Sequence, residues 1–377
     1  MDFSLNDIQE MMRESASKFI QKEYDFETRR KLSKSEMGYS QKNWELFAEL
    51  GWLALPVDED FGGIGGSVLD TIILQEELGK GLVVEPYFAT ALLGTNLINK
   101  FARDDQKETI LENVIAGTQK LTLAHSEGHA PFDLTQMRTT AQKSNNGFVL
   151  NGKKSVVLDA QNADMLLVVA RTSGQNGDKN GLSVFNLTPD TAGVTIKGYE
   201  TNDGLRAADI TFDNVNLDET TVIGELDQAY DAVHRVLLEG IVNLSGEAVG
   251  IMEKLVELTA EYLGVREQFS APIGKFQALQ HRTADMFMEK EQAKSMLYYA
   301  AIETAENAEG FERACAMLKV RIGNAARFVG QQAVQLHGGM GVTDELSVGH
   351  YFKRLTCINN LLGSRDYHLN ALVKEAQ

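Results

Sequence analysis

The sequence predicts an α+β fold in three consecutive parts, helices first, then strands, then helices again. Three observations carry this reading. From Asp7 to about Lys120 apolar residues recur at helical spacing, as in WELFAELGWLAL and LDTIILQEELGKGL. From Leu121 to about Glu225 the chain breaks into short runs of β-forming residues, DMLLVVART, GLSVFNL, GVTIKGY and ADITFDNVNL. Beyond Leu226 the segment AYDAVHRVLLEGIVNLSGEAVGIMEKLVELTAEYLGV is apolar on most sides, which suits an inner helix of a bundle. The expected domain limits are therefore 1–120, 121–225 and 226–377.

Each part has its own punctuation. The glycine cluster FGGIGG at 61–66 interrupts the first helical stretch, because glycine is the residue that most readily leaves a regular helix. In GFVLNGKKSVVL, Asn151-Gly152 separates two β-rich runs and is expected to form a tight hairpin turn, since both residues tolerate positive φ. No fixed-period repeat, low-complexity tract or Pro- and Ser-dense tether interrupts the order.

Composition narrows the function. A chain of 377 residues has length for a large core shared by two or three subdomains. Its 53 acidic against 36 basic residues give a formal charge of −17, which argues against nucleic acid or an anionic membrane surface as partner. Cys315 and Cys357 are too far apart for a CxxC pair and too few for a disulfide framework, so a reducing cytoplasm is the expected compartment and no metal centre is expected. The start, MDFSLNDIQEMMRE, lacks the basic and apolar regions of a signal peptide, and no apolar run reaches the length of a membrane span.

Three groups of residues have chemical promise in their own right. Gly338 and Gly339 leave the backbone unshielded, so its amides could meet a pyrophosphate or an adenosine, or the pair could simply end the helix formed by AARFVGQQAVQLH. Arg266 offers a planar fork for phosphate oxygens, or a surface ion pair with Glu261 or Glu267. On the long apolar helix, Glu239, Asn243 and Glu247 recur every fourth residue and share one slowly drifting stripe. A carboxylate in apolar surroundings is a candidate general base, or else the partner of a buried arginine. Arg206 reads as a structural residue, and Tyr351 and Phe352 as core.

Several motifs, in one order and spanning nearly the whole chain, resemble the acyl-CoA dehydrogenase family: GWLALPVDEDFGGIGG with LQEELG, then LTLAHSEGHAPFDL, GLRAADITFDNV, VREQFSAPIGKFQALQHRTADM, and QLHGGMG followed by YFKR. Within it, YDFETRR, LVVEPY, DGLRAA and VGHYFKRLT are similar to the two-component branch that includes the small subunit of pimeloyl-CoA dehydrogenase. The resemblance implies a middle β-barrel and a C-terminal four-helix bundle. It implies FAD as cofactor, an acyl-CoA substrate oxidised to the 2-enoyl-CoA, an electron-transfer flavoprotein as acceptor, and a homo-oligomer or a heterotetramer with a larger homologous subunit.

Carried over residue by residue, it sets Ser126 at the flavin-facing loop and Arg266, Gln268, Phe269, Phe276 and Gln277 against the dinucleotide. Gln335, Leu336, His337, Gly338 and Gly339 fall around its adenosine end, and Gly363 and Ser364 match a glycine–hydroxyl pair at the cofactor. Three positions depart from the pattern. Val156 and Leu158 stand where a tryptophan and a hydroxyl residue are usual, and Leu362 stands where most members place the glutamate that removes the α-proton. A minority place the base on the long helix, at the position of Gly240, which makes Glu239 the first candidate and Glu247 the second. A non-catalytic subunit completing a partner's site and an oxygen-using flavoenzyme on the same scaffold are the alternatives.

Overall fold

The computed structural model describes residues 5–375 and 377. In chain order its helices and strands are α1 (Asp7–Glu23), α2 (Phe26–Ser33), α3 (Gln41–Glu49), α4 (Val68–Gly81), α5 (Asn96–Phe101), α6 (Asp104–Ile115), β1 (Leu121–Ala124), β2 (Thr140–Ser144), β3 (Gly147–Leu158), β4 (Met165–Arg171), β5 (Leu182–Leu187), β6 (Val194–Glu200), β7 (Arg206–Leu217) and β8 (Val222–Ile223). There follow α7 (Ala229–Val265), β9 (Glu267–Gln268), β10 (Ala271–Pro272), α8 (Gln277–Ala305), α9 (Phe311–His337), α10 (Ser347–Asn360) and α11 (Arg365–Glu375). The predicted order of helices, strands and helices is therefore the observed one. The chain forms two compact units: one joins the N-terminal segment through Lys31 to Ser67–Val83 and Ile241–Gln377, the other comprises Leu32–Gly66 and Val84–Gly240.

In the second unit the strands form a mixed sheet in the order β6-β7-β3-β2-β4-β5-β8, with β1 paired in parallel to β4. Alternation sorts its side chains. Leu167 and Val169 of β4 and Leu182 and Val184 of β5 pack with Leu97, Ile98, Leu111 and Val114 of α5 and α6. Their neighbours Leu166, Val168, Phe185 and Leu187 enter a separate core with Phe148, Leu150, Ile210 and Phe212. Successive side chains point to opposite faces, so one apolar strand can serve two cores. Arg206 is structural, as expected: its Nη2 donates to the carbonyls of Ser33 and Ser35 at 2.9 and 2.8 Å.

The hairpin turn expected at Asn151-Gly152 is not there. β3 runs straight through that dipeptide, and the β2–β3 turn falls at Asn145-Asn146, with Ser144 paired to Gly147. Gly152 instead sits at a register shift with φ of +150°, and an added Cβ would come within 2.5 Å of Thr139. The Asn-Gly signal was real chemistry put to another use, since a bulge beside a close backbone needs the same residue as a turn.

In the first unit α4 opens on a capping box, Ser67 with Asp70, and packs on α7 through glycines. A Cβ on Gly79 would lie 2.3 Å from the Glu247 carbonyl oxygen, and one on Gly250 would lie 1.8 Å from that of Glu76. The two backbones therefore touch. Among the described residues, no helix is long and apolar enough to cross a membrane.

Candidate functional site

In the first unit, α9 ends at His337 because Gly338 takes φ of +60° and ψ of −141°, a conformation closed to side chains with a Cβ. The turn opens on a cavity of about 780 Å³. Gln335, Gly338 and Gly339 line it together with Arg282 of α8, Gln332 of α9 and Phe352 of α10. A Cβ built on Gly338 or Gly339 meets no atom within 4 Å, so the backbone there faces open space. Gln332 adds a buried Oε1 without a hydrogen-bond partner among the described residues. Leu336 and His337 turn the other way: both are buried, and His337 stacks on Tyr262 with ring centroids 4.4 Å apart. Phe352, expected in the core, lines the cavity, whereas Tyr351 is buried.

Arg266, Gln268 and Phe269 lie at a two-residue hairpin joining β9 to β10. Both turn residues, Phe269 and Ser270, have positive φ, as this hairpin type demands, although neither is glycine. Phe269 is 89% exposed at the tip, edge-on to Phe276, and Gln277 is exposed at the start of α8. All these groups face outward.

The carboxylates are otherwise occupied. Glu239 Oε1 accepts from Arg235 Nε at 2.8 Å and lies 3.3 Å from Lys100 Nζ, these partners reaching solvent. Glu247 is held by Arg354 in a bidentate pair, Nε to Oε1 at 2.5 Å and Nη2 to Oε2 at 2.7 Å, with both residues buried. Leu362 has φ of 54°, and its carbonyl accepts from His368 Nε2 at 2.9 Å. Gly363 follows, and Ser364 Oγ accepts the Tyr367 amide at 3.2 Å, capping α11.

Behind this turn Lys319 is buried and donates to the Ile358 carbonyl at 2.5 Å. Burial, helped by the charge of Arg354, brings its ammonium down from 10.5 to about 7. A lysine with a lowered folded value binds fewer protons than in the unfolded chain, so between pH 7 and 10.5 it makes folding more favourable as pH rises. Lys319→Met should remove that component. Urea unfolding should show wild type gaining on the variant by up to about 1.4 kcal/mol per pH unit across this window. A constant difference would place the ammonium in an ordinary environment.

In the second unit, Ser126 lies on the loop after β1, its Oγ donating to the Pro131 carbonyl at 3.3 Å and its own carbonyl accepting the Ser155 amide at 3.0 Å. The adjoining Glu127 accepts the Arg138 and Thr139 amides and Lys154 Nζ, each at 2.9 Å. Burial raises the Glu127 carboxyl, but Lys154 and these donors outweigh it and hold it below its ordinary value. Val156 sits at a bulge of β3, half exposed, with φ of 55°.

Family models of acyl-CoA dehydrogenase match along the chain, the N-terminal domain at residues 6–118, the middle domain at 122–215 and the C-terminal domain at 231–377. An isovaleryl-CoA dehydrogenase of Solanum tuberosum is 30% identical over 316 residues, 82% of this chain and 76% of that protein. The chain belongs to the acyl-CoA dehydrogenase family. This is an oxidoreductase family that acts on the CH–CH bond of acyl-CoA, and its cofactor is FAD. Among solved structures, PigA with FAD and proline is 27% identical, with a TM-score of 0.91 over 100% of this chain and 99% of that one. The ChsE4–ChsE5 complex from Mycobacterium tuberculosis shares the fold, at 23% identity and a TM-score of 0.90 over the same shares.

The cavity in the first unit fits part of such a cofactor. It offers a guanidinium, amide groups of which one oxygen is unsatisfied, an aromatic ring and a bare glycine backbone. Sequence reasoning named Gln335, Gly338 and Gly339 but missed Arg282 and Gln332. Gln331 and Gln335 share a helix face at spacing four, a signal that could have drawn attention to the glutamine-rich end of α9. Nothing in the sequence marks Arg282, because only the packing of α8 beside α9 brings it there.

Proposed function

We propose that this chain is the flavin-holding subunit of a heteromeric acyl-CoA dehydrogenase, with the catalytic base supplied by a homologous partner chain. When bound, FAD would supply the acceptor for the β-hydrogen and its electron pair, and a carboxylate would take the α-proton of the thioester to give the 2-enoyl-CoA. An electron-transfer flavoprotein would be the acceptor of that electron pair. The occupied state of Glu247 carries this reading. Both its oxygens receive N–H donors of a buried arginine, and leucine stands at 362, so neither position offers a free proton acceptor. The cofactor contacts we assign to this chain are Ser126, Arg266, Gln268, Phe269, Phe276, Gln277, Gln335, Gly338, Gly339, Gly363 and Ser364.

One observation favours a second reading, in which this chain is itself catalytic. The cations on Glu239, Arg235 and Lys100, are 21% and 36% exposed in their side chains, so Glu239 can be released where Glu247 cannot. Dye-coupled dehydrogenation of an acyl-CoA panel separates the two, run with the chain alone and with any homologous chain that co-purifies. The chain alone should be inactive, and Glu239→Gln should keep the wild-type rate in the complex. Turnover by the isolated chain that falls roughly 10²- to 10⁴-fold in Glu239→Gln would overturn the partner reading.

A further inference from the structure

The cavity at the end of α9 contains one group that the resemblance to the family did not assign. Arg282 lines it, and its side chain makes no hydrogen bond or ion pair among the described residues. Around it are the bare backbone of Gly339, the amide of Gln335, the unsatisfied buried Oε1 of Gln332 and the ring of Phe352. The orphaned amide oxygen wants a donor such as a ribose hydroxyl or an exocyclic amine. The guanidinium wants an anion, and its fork matches phosphate oxygens better than any neutral group. Phe352 offers an apolar surface for a flat ring. Together these describe a phosphorylated adenosine rather than an acyl chain or a bare nucleoside.

We propose that Arg282 is a phosphate-gripping residue that makes this cavity select the ADP portion of the dinucleotide over unphosphorylated adenosine. The inference rests on the assignment of Gln335, Gly338 and Gly339 to the cofactor. It adds a contact supplied by α8, and an element of specificity, to that site. Arg282 reaches solvent, so its grip should weaken with salt, as exposed charge pairs do. Its side chain has no partner among the described residues to lose, so its removal should leave the fold intact.

The test uses the full-length protein and flavin fluorescence, with FAD bound and then displaced by ADP or by adenosine. Wild type should release FAD to ADP at concentrations about tenfold lower than to adenosine, and 0.5 M salt should narrow that gap. Arg282→Gln should bind FAD about tenfold more weakly and respond to ADP and adenosine alike, with the melting temperature of the flavin-free chain unchanged. Arg282→Lys should restore part of the preference for ADP, since a charge remains without the fork. Displacement of FAD by ADP that is identical in wild type and Arg282→Gln would overturn the role of Arg282 while leaving the cavity as the nucleotide site. FAD that stays bound to wild type whatever the ADP concentration would instead overturn the assignment of the cavity itself.

Discussion

Arg354→Leu is expected to cost about 3–5 kcal/mol of stability, because it leaves the Glu247 carboxylate buried and unpaired. For a folding unit of this size that corresponds to a drop in melting temperature of roughly 6–20 °C. The pair is not stabilising by virtue of being charged. Taking both ions out of water consumes most of their attraction, so the loss comes from the orphaned partner. The double replacement Glu247→Leu with Arg354→Leu should therefore recover most of the stability lost in Arg354→Leu. Thermal melts of the single and double variants decide the matter. If the single variant melts within a degree of wild type, water reaches Glu247 and the pair is not the sealed element described above. That outcome would also reopen Glu247 as a proton acceptor and weaken the partner-base reading.

Gly250→Ala should do more damage and prevent the first unit from assembling. Its new Cβ would lie 1.8 Å from the Glu76 carbonyl oxygen, a backbone atom that cannot swing aside, so α4 and α7 must part. Separating them opens the buried surface around Ile72, Ile73 and Leu74 and breaks the close packing that makes a core sensitive to a single methyl group. The same change at Gly246, one turn away, meets its nearest atom at 3.1 Å and should cost far less. Soluble yield and retained FAD should fall in the order Gly246→Ala, then Gly250→Ala. Equal behaviour of the two variants would mean that the helices are not in backbone contact.

Much of the architecture was legible because it depends on patterns along one chain. The switch from helical spacing to β-branched runs near Leu121, and back again beyond Leu226, reports which faces must be buried, and burial acts on every residue of an element. The break at Gly338 was legible for the same local reason, since positive φ selects glycine whatever lies nearby. Asn151-Gly152 misled because the same backbone freedom serves a turn and a bulge, and only the closeness of Thr139 on a neighbouring segment decided between them.

The chemistry of the site divides in the same way. Leu362 excludes a base at that position from the sequence by itself, because no surroundings turn a leucine into a proton acceptor. Glu239 and Glu247 read alike along α7, eight residues apart on one stripe. Their fates differ because of what faces them: solvent-reaching Arg235 and Lys100 for one, buried Arg354 of α10 for the other. A carboxylate's availability is set by the charges and donors brought within about 4 Å of it, and those come from elements distant in sequence. Residue type, periodicity and forbidden conformations were thus determined by the sequence. The pairing of each charge was decided only by the tertiary structure, since an ion pair depends on a distance between helices that no local pattern encodes.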